Sequence, residues 1–252
     1  MLKDKVIIIT GAGSGIGRAA ASVFSQAGAK LLVTDYNQEA AEETRNLILE
    51  KHGIAESLGT DVSDEIEVKK MISYAIDTFG VLDGAFNNAG VPMKNELVQD
   101  ISEQDWLKVI DVNLKGVFFC MKHQITAMRK SGGGAIVNTS SANGLVGSPY
   151  AAEYCAAKSG VLGLTRGSAC EAAITGVRVN AVLPGMIMTS MVADLVNDPE
   201  FKVHYDLAMS RHTIGRFGQP EEVANVAKWL LSNEASFVNG AAISVDGGYT
   251  AR

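Results

Sequence analysis

The sequence predicts an α/β fold: a single doubly wound Rossmann-type domain, its mostly parallel sheet flanked by helices, with a small substrate lid. Three observations predict it. Short apolar runs alternate with helical patterns along the whole chain. The first run, residues 6–9, opens directly into a loop with glycines at 11, 13, 15 and 17. No linker, low-complexity run or repeat interrupts the alternation, so residues 1–252 read as one domain.

The elements follow in order. Residues 6–10, Val-Ile-Ile-Ile-Thr, form an apolar run that fits a strand buried on both faces. A helix is expected over 16–27, stopped by Gly28. A second strand over 31–34 ends at Asp35, and a polar helix over 38–51 closes at Gly53. A weaker strand over 55–59 precedes Asp61 and Val62, and Ser63 is expected to cap a helix running to 79. A short strand over 83–86 leads into Asn87-Asn88-Ala89-Gly90. Ser102 with Asp105 resembles a capping box and opens one long helix to about 128. That helix carries more apolar residues than one stripe needs, which suggests packing against a second subunit. A strand over 135–139 leads to Ser140-Ser141, and an Ala-rich helix extends to about 173. Strands over 177–183 and 242–245 flank a last helix over 221–231. Residues 186–216 show no strong strand, carry four methionines and follow a strand's carboxyl end, where open α/β sheets place ligands. They are expected to form the lid.

Composition narrows the function classes. The chain is 47% hydrophobic and 20% charged, ordinary for a soluble globular protein with a sizeable core. A net charge of -6 disfavours nucleic acid or an anionic membrane as partner. Cys120, Cys155 and Cys170 are odd in number and lack C-x-x-C spacing, which suggests reduced thiols; Cys155 reads as packing. His52, His123, His204 and His212 show no metal-ligand spacing, so no metal is expected. The apolar run near the N-terminus is too short for a signal-peptide core, and none is long enough to span a bilayer. These signals point to the cytoplasm.

The glycine loop lies between a strand and a helix, where glycines let the backbone approach a pyrophosphate at a helix N-terminus. The G-x-G-x-x-G spacing is not met, because Ile16 follows Gly13 by three; the pattern present is Gly11-x-x-x-Gly15-x-Gly17. Asp35 lies about twenty residues on, as an acceptor for adenosine ribose hydroxyls and a repellent for a ribose phosphate. No Lys or Arg adjoins it, and the loop holds Ser14 in place of a basic residue, which favours NAD over NADP. Further along, Tyr154 and Lys158 are four residues apart, on one face of a helix. A phenol titrating near ~10 needs about 4 kcal/mol of differential stabilisation to act as a base near pH 7. The lysine's charge favours the phenolate, with a cationic cofactor ring adding to it.

Together these residues resemble the short-chain dehydrogenase/reductase family over nearly the whole chain. The resemblance rests on Thr10-Gly11-x-x-x-Gly15-x-Gly17, Asp61-Val62, Asn87-Asn88-Ala89-Gly90, Asn113, Ser141, Tyr154-x-x-x-Lys158 and Pro184-Gly185 with Thr189. It implies that Tyr154 is the general base in alcohol oxidation and the acid in ketone reduction. It implies that Lys158 holds the nicotinamide ribose and lowers the tyrosine pKa, and that Ser141 hydrogen-bonds the substrate oxygen. Ser140 competes with Ser141, but the family pattern favours Ser141. Asn113 is implied to anchor a water that relays protons to Lys158. Cofactor contacts are implied for Gly11, Ser14, Gly15, Ile16, Gly17, Asp35, Asp61, Val62, Asn88 and Gly185, with Ile187 and Thr189 at the nicotinamide carboxamide. Tyr150 lacks a lysine four residues on.

Expected pocket walls are Val91, Met93, Asn143, Leu145, Val146, Pro149, Tyr150, Met186, Met188 and Met191. Most are apolar, which suits a hydrophobic secondary alcohol or ketone. Residues 82–86 and 120–125 look like those of members that act on alicyclic alcohols and diols. The resemblance also implies a homotetramer. Two alternatives stay open: a β-ketoacyl thioester reductase of the same fold, and a catalytically idle NAD-binding regulator.

Overall fold

The computed structural model describes residues 1–189, 192 and 209–251. Seven parallel strands form one sheet in the order β3-β2-β1-β4-β5-β6-β7. The strands are β1 (Val6–Thr10), β2 (Lys30–Asp35), β3 (Ile54–Gly59), β4 (Gly84–Asn87), β5 (Gly134–Thr139), β6 (Val177–Pro184) and β7 (Ala242–Val245). The chain runs outward from β1 to β3, then returns to β4 on the other side of β1. The crevice beyond β1 and β4 is therefore the topological switch point, where doubly wound sheets bind ligands.

Strand periodicity explains the two core layers. Every residue of β1 is buried. Ile7 and Ile9 point into one layer with Phe24, Leu31, Val33, Phe86 and Leu230. Ile8 points into the other with Leu32, Met71, Ala85, Met121 and Ile136. The first layer is covered by α1 (Gly15–Gln26), α2 (Gln38–Leu49) and α7 (Pro220–Leu231); the second by α3 (Glu65–Phe79), α5 (Gly116–Lys130) and α6 (Ala152–Ala172).

Two expectations need correction. The helix after Ser102 is not a single α-helix. It is α4 (Glu103–Ile110), a π-helical turn (Asp111–Lys115), then α5. The Gly116 N–H reaches back to the Asp111 carbonyl, and the buried Asn113 sits inside that widened turn. Trp106, Leu107 and Phe118 of this helical run remain exposed. Nor does Ser63 cap α3. Asp64 does, accepting from the N–H groups of Ile66 and Glu67, while Ser63 donates to Asp61.

The base of the 186–216 excursion is closed. Met186 N–H donates to His212 Nε2 at 3.0 Å, Met188 N–H to Gly218 O at 2.8 Å, and Gly218 N–H to Met186 O at 3.0 Å. Residues 190, 191 and 193–208, Met191 among them, lie outside the described residues. No helix among the described residues is long and apolar enough to cross a membrane.

Candidate active site

The glycine loop is shaped by the absence of side chains. Gly11 has a φ of +63°, open to glycine without strain, and a Cβ there would lie 2.8 Å from Ala89 Cα. A Cβ on Gly13 would lie 2.7 Å from Ala40 Cβ, and one on Gly17 would collide with the Gly11 carbonyl. Ser14 precedes α1 in an extended conformation and does not cap it with its side chain, and no acid occupies the first turn. The N–H groups of the Gly15-Ile16-Gly17 turn, with the helix dipole behind them, suit an anion.

Asp35 ends β2 beside this loop. Its Oδ2 accepts from Gly13 N–H at 2.9 Å and its Oδ1 from Asn37 N–H at 3.0 Å. Arg18, in the first turns of α1, is bonded to Thr44 and Glu43. The donors at α1 fit the pyrophosphate of a nicotinamide dinucleotide.

Asn88 is a brace for the loop. Its Nδ2 donates to the carbonyls of Thr10 and Gly11, both at 3.2 Å. Thr10 Oγ1 in turn accepts from the N–H groups of Asn88 and Ala89. Asp61 folds back on Ser63 through Oδ1, and Val62 is buried where a Cβ on Gly116 would meet it. Gly185 packs between His212 and Asp246, Ile187 is buried, and the Thr189 methyl group lies against Gly15. The loop after β6 therefore closes over the glycine loop.

The chemistry-bearing side chains meet at the carboxyl ends of β4 and β5. Tyr154 and Lys158 lie one turn apart near the start of α6, with Lys158 Nζ 5.5 Å from the centre of the Tyr154 ring. Ser141 stands close enough to Tyr154 for its hydroxyl to pull the phenol pKa down. The neighbouring Ser140 is buried, and its Oγ donates to the Lys158 carbonyl at 2.8 Å, so its hydroxyl holds the helix. Lys158 is 3% exposed and donates from Nζ to the Thr139 carbonyl at 3.0 Å. Asn113 grips Val91 from both sides, accepting its N–H at 3.1 Å and donating to its carbonyl at 3.0 Å. A Cβ on Gly90 would be 2.6 Å from Asn113 Oδ1 and 3.6 Å from Lys158 Nζ, so only glycine lets the two approach.

Burial sets the ionisation of the two groups in the protein without cofactor. Burial pushes the Tyr154 phenol up to about 12, against the smaller lowering effect of the Ser141 hydrogen bond. Burial also holds the Lys158 ammonium down at about 8. Desolvation dominates at both groups and in both cases disfavours the charged form. A positive charge brought to the site opposes that effect at the phenol.

Several residues here escaped sequence reasoning. Asn87, Gln124, Asn138 and Thr165 form a buried hydrogen-bonded set between β4, β5, α5 and α6. A polar residue within the apolar run 135–138 was the available signal. Glu153 is wholly buried, and Ser148 joins Asn143 to Tyr249. Of the expected pocket walls, Leu145, Pro149 and Tyr150 stand exposed.

Comparison with known proteins places these features in context. The family described as Enoyl-(Acyl carrier protein) reductase matches residues 11–250. Cyclohexanol dehydrogenase of an Acinetobacter species is 43% identical over 249 residues, covering 99% of this chain and 96% of that one. The 2,5-dichloro-2,5-cyclohexadiene-1,4-diol dehydrogenase of Sphingobium indicum is 42% identical, covering 99% and 98%. The crystal structure of levodione reductase superposes with a TM-score of 0.96 at 36% identity, covering 100% and 99%.

Proposed function

Because the chain belongs to the short-chain dehydrogenase/reductase family, we propose that it transfers a hydride between NAD(H) and a hydrophobic, alicyclic secondary alcohol or ketone. The carrying observation is the convergence of Ser141, Tyr154 and Lys158 beside a glycine loop braced by Asp35. The nicotinamide ring, when bound, accepts or returns the hydride. Ser141 orients the substrate oxygen, and Tyr154 takes the hydroxyl proton or gives it back. Lys158 holds the ribose hydroxyls and supplies positive charge beside the phenol. Asn113 steadies the Gly90–Val91 wall and, with Lys158, serves the path by which the proton leaves. Gly11, Ser14, Gly15, Ile16 and Gly17 line the pyrophosphate; Asp35, Asp61, Val62 and Asn88 serve the adenosine half; Gly185, Ile187 and Thr189 serve the nicotinamide.

NAD is favoured over NADP because the Asp35 carboxylate would face a ribose phosphate, while Arg18 is engaged by Glu43. The names of the two similar dehydrogenases support a six-membered ring as the substrate framework. A cytoplasmic homotetramer fits the exposed Trp106, Leu107 and Phe118. Tyr154→Phe tests the assignment: turnover should fall by at least about a thousandfold, the upper range for loss of a general acid–base, with NADH still bound. Near-normal turnover removes Tyr154 from the role. The β-ketoacyl thioester alternative requires a clear NADPH preference in kcat/KM. The idle regulator requires tight NAD binding with no hydride transfer to any of a panel of cyclic alcohols and ketones.

A further inference from the structure

Glu153 precedes Tyr154 and is completely buried. Its Oε1 accepts from the Lys94 N–H at 2.8 Å. Its Oε2 has no hydrogen-bond partner among the described residues. A half-satisfied buried carboxylate is a poor stabiliser, and an apolar side chain of similar size would cost less to bury. What the carboxylate supplies is a fixed acceptor for one backbone group.

The position of that group matters. The segment after β4 starts at Gly90, against Asn113 and Lys158. Four residues later, Lys94 is tied to Glu153. Lys158 and Glu153 are five residues apart on α6, a rise of roughly 7.5 Å at ~1.5 Å per residue. An extended chain covers that interval in two to three residues at ~3.3 Å each, within the reach of the four steps from Gly90 to Lys94. The segment 90–94 therefore runs along the turn of α6 that carries Tyr154. Burial within it alternates: Val91 and Met93 are half-buried, Pro92 and Lys94 exposed. Val91 and Met93 are thus the more buried side of this segment, which is held at one end by Asn113 and at the other by Glu153.

We propose that Glu153 is a positioning residue, which fixes the Val91–Met93 wall of the substrate cleft against the Tyr154 turn and so sets substrate fit. The proposal rests on the assignment of Tyr154 as proton carrier. Freed from Glu153, the wall swings on its Asn113 anchor, and an apolar ring is no longer pressed toward Ser141 and Tyr154.

The test compares Glu153→Leu with Glu153→Gln, whose amide oxygen keeps an acceptor, using cyclohexanol as the probe. Glu153→Leu should raise the KM for cyclohexanol about tenfold, the effect of losing one good hydrogen bond, with kcat within about threefold. Its Kd for NADH should match the parent. Glu153→Gln should recover most of the KM. A merely structural role would lower the folded fraction and Tm with KM unchanged, and that result overturns the proposal, as does a Glu153→Gln variant no better than Glu153→Leu. If Glu153→Leu does not fold, Lys94→Pro removes the donor instead and must raise KM in the same way; an unchanged KM there also overturns it. Near-normal turnover of Tyr154→Phe would sink the proton-carrier assignment itself. Inactive Tyr154→Phe beside a normal KM in Glu153→Leu would sink only the role of Glu153.

Discussion

The two halves of the sheet solve the same problem with opposite means. Around β1 and β2, the ligand-facing groups are backbone N–H donors and one carboxylate, and the shaping is done by side chains that are missing. Around β4, β5 and α6, the polar groups are side chains sunk into the core: Asn87, Asn113, Gln124, Asn138, Glu153, Lys158 and Thr165. The first half leaves room. The second holds polar side chains where water is excluded, its buried lysine at a desolvation cost. Its buried amides are almost fully paired, which offsets that cost.

Substitutions can break this contrast. Gly17→Ala should have the largest effect, because the new methyl group meets the Gly11 carbonyl and the loop must move. We expect at least a hundredfold weaker NADH binding, about 2.7 kcal/mol or more, by fluorescence titration. Normal binding would show that the loop has slack. In the other half, Asn138→Ala takes one acceptor from Asn87 and the donor from Thr165, and should cost about 2–3 kcal/mol in denaturant unfolding, with NADH affinity retained in the folded protein.

Smaller effects sharpen the electrostatic side. The Tyr154 phenol, raised to about 12 in the protein alone, should titrate lower once NAD is bound. Tyrosinate absorbance between about pH 9 and 11, as a difference against Tyr154→Phe, should show a drop of at least ~1 unit, or about 1.4 kcal/mol. No drop would mean that the cofactor charge does not act on the phenol. Lys158→Met should abolish turnover yet raise Tm by about 2–4 °C, the equivalent of ~1 kcal/mol in a chain of this size. Lys158 has a lower pKa folded, about 8, than its ordinary 10.5. Its penalty is therefore full below pH 8 and fades as pH rises to 10.5, and the Tm advantage should fade with it. A Tm loss at neutral pH would mean that the bond to the Thr139 carbonyl outweighs desolvation.

Much of the fold was legible because strand and helix periods are properties of the chain itself. The apolar run at 6–9, the glycine stop at Gly80 and the strand at 242–245 need no knowledge of their neighbours. The π-helical turn was not legible. Its local sequence carries no signal that separates a π turn from an α turn, and the turn sits where Asn113 is bonded to Val91, a loop residue from another element. Ser63 and Asp64 were both competent caps, and Asp61 decided between them by engaging Ser63.

By itself the sequence determined the strand–loop–helix of the glycine loop, the acid after β2 and the one-turn spacing of Tyr154 and Lys158. All three follow from short-range geometry, fixed by residue type and count. Only the tertiary structure decided which serine meets the phenol, what grips the 90–94 segment, and that burial moves the phenol up and the lysine down. Those outcomes depend on which distant residues come together and how far they exclude water, and neither quantity is carried by local order.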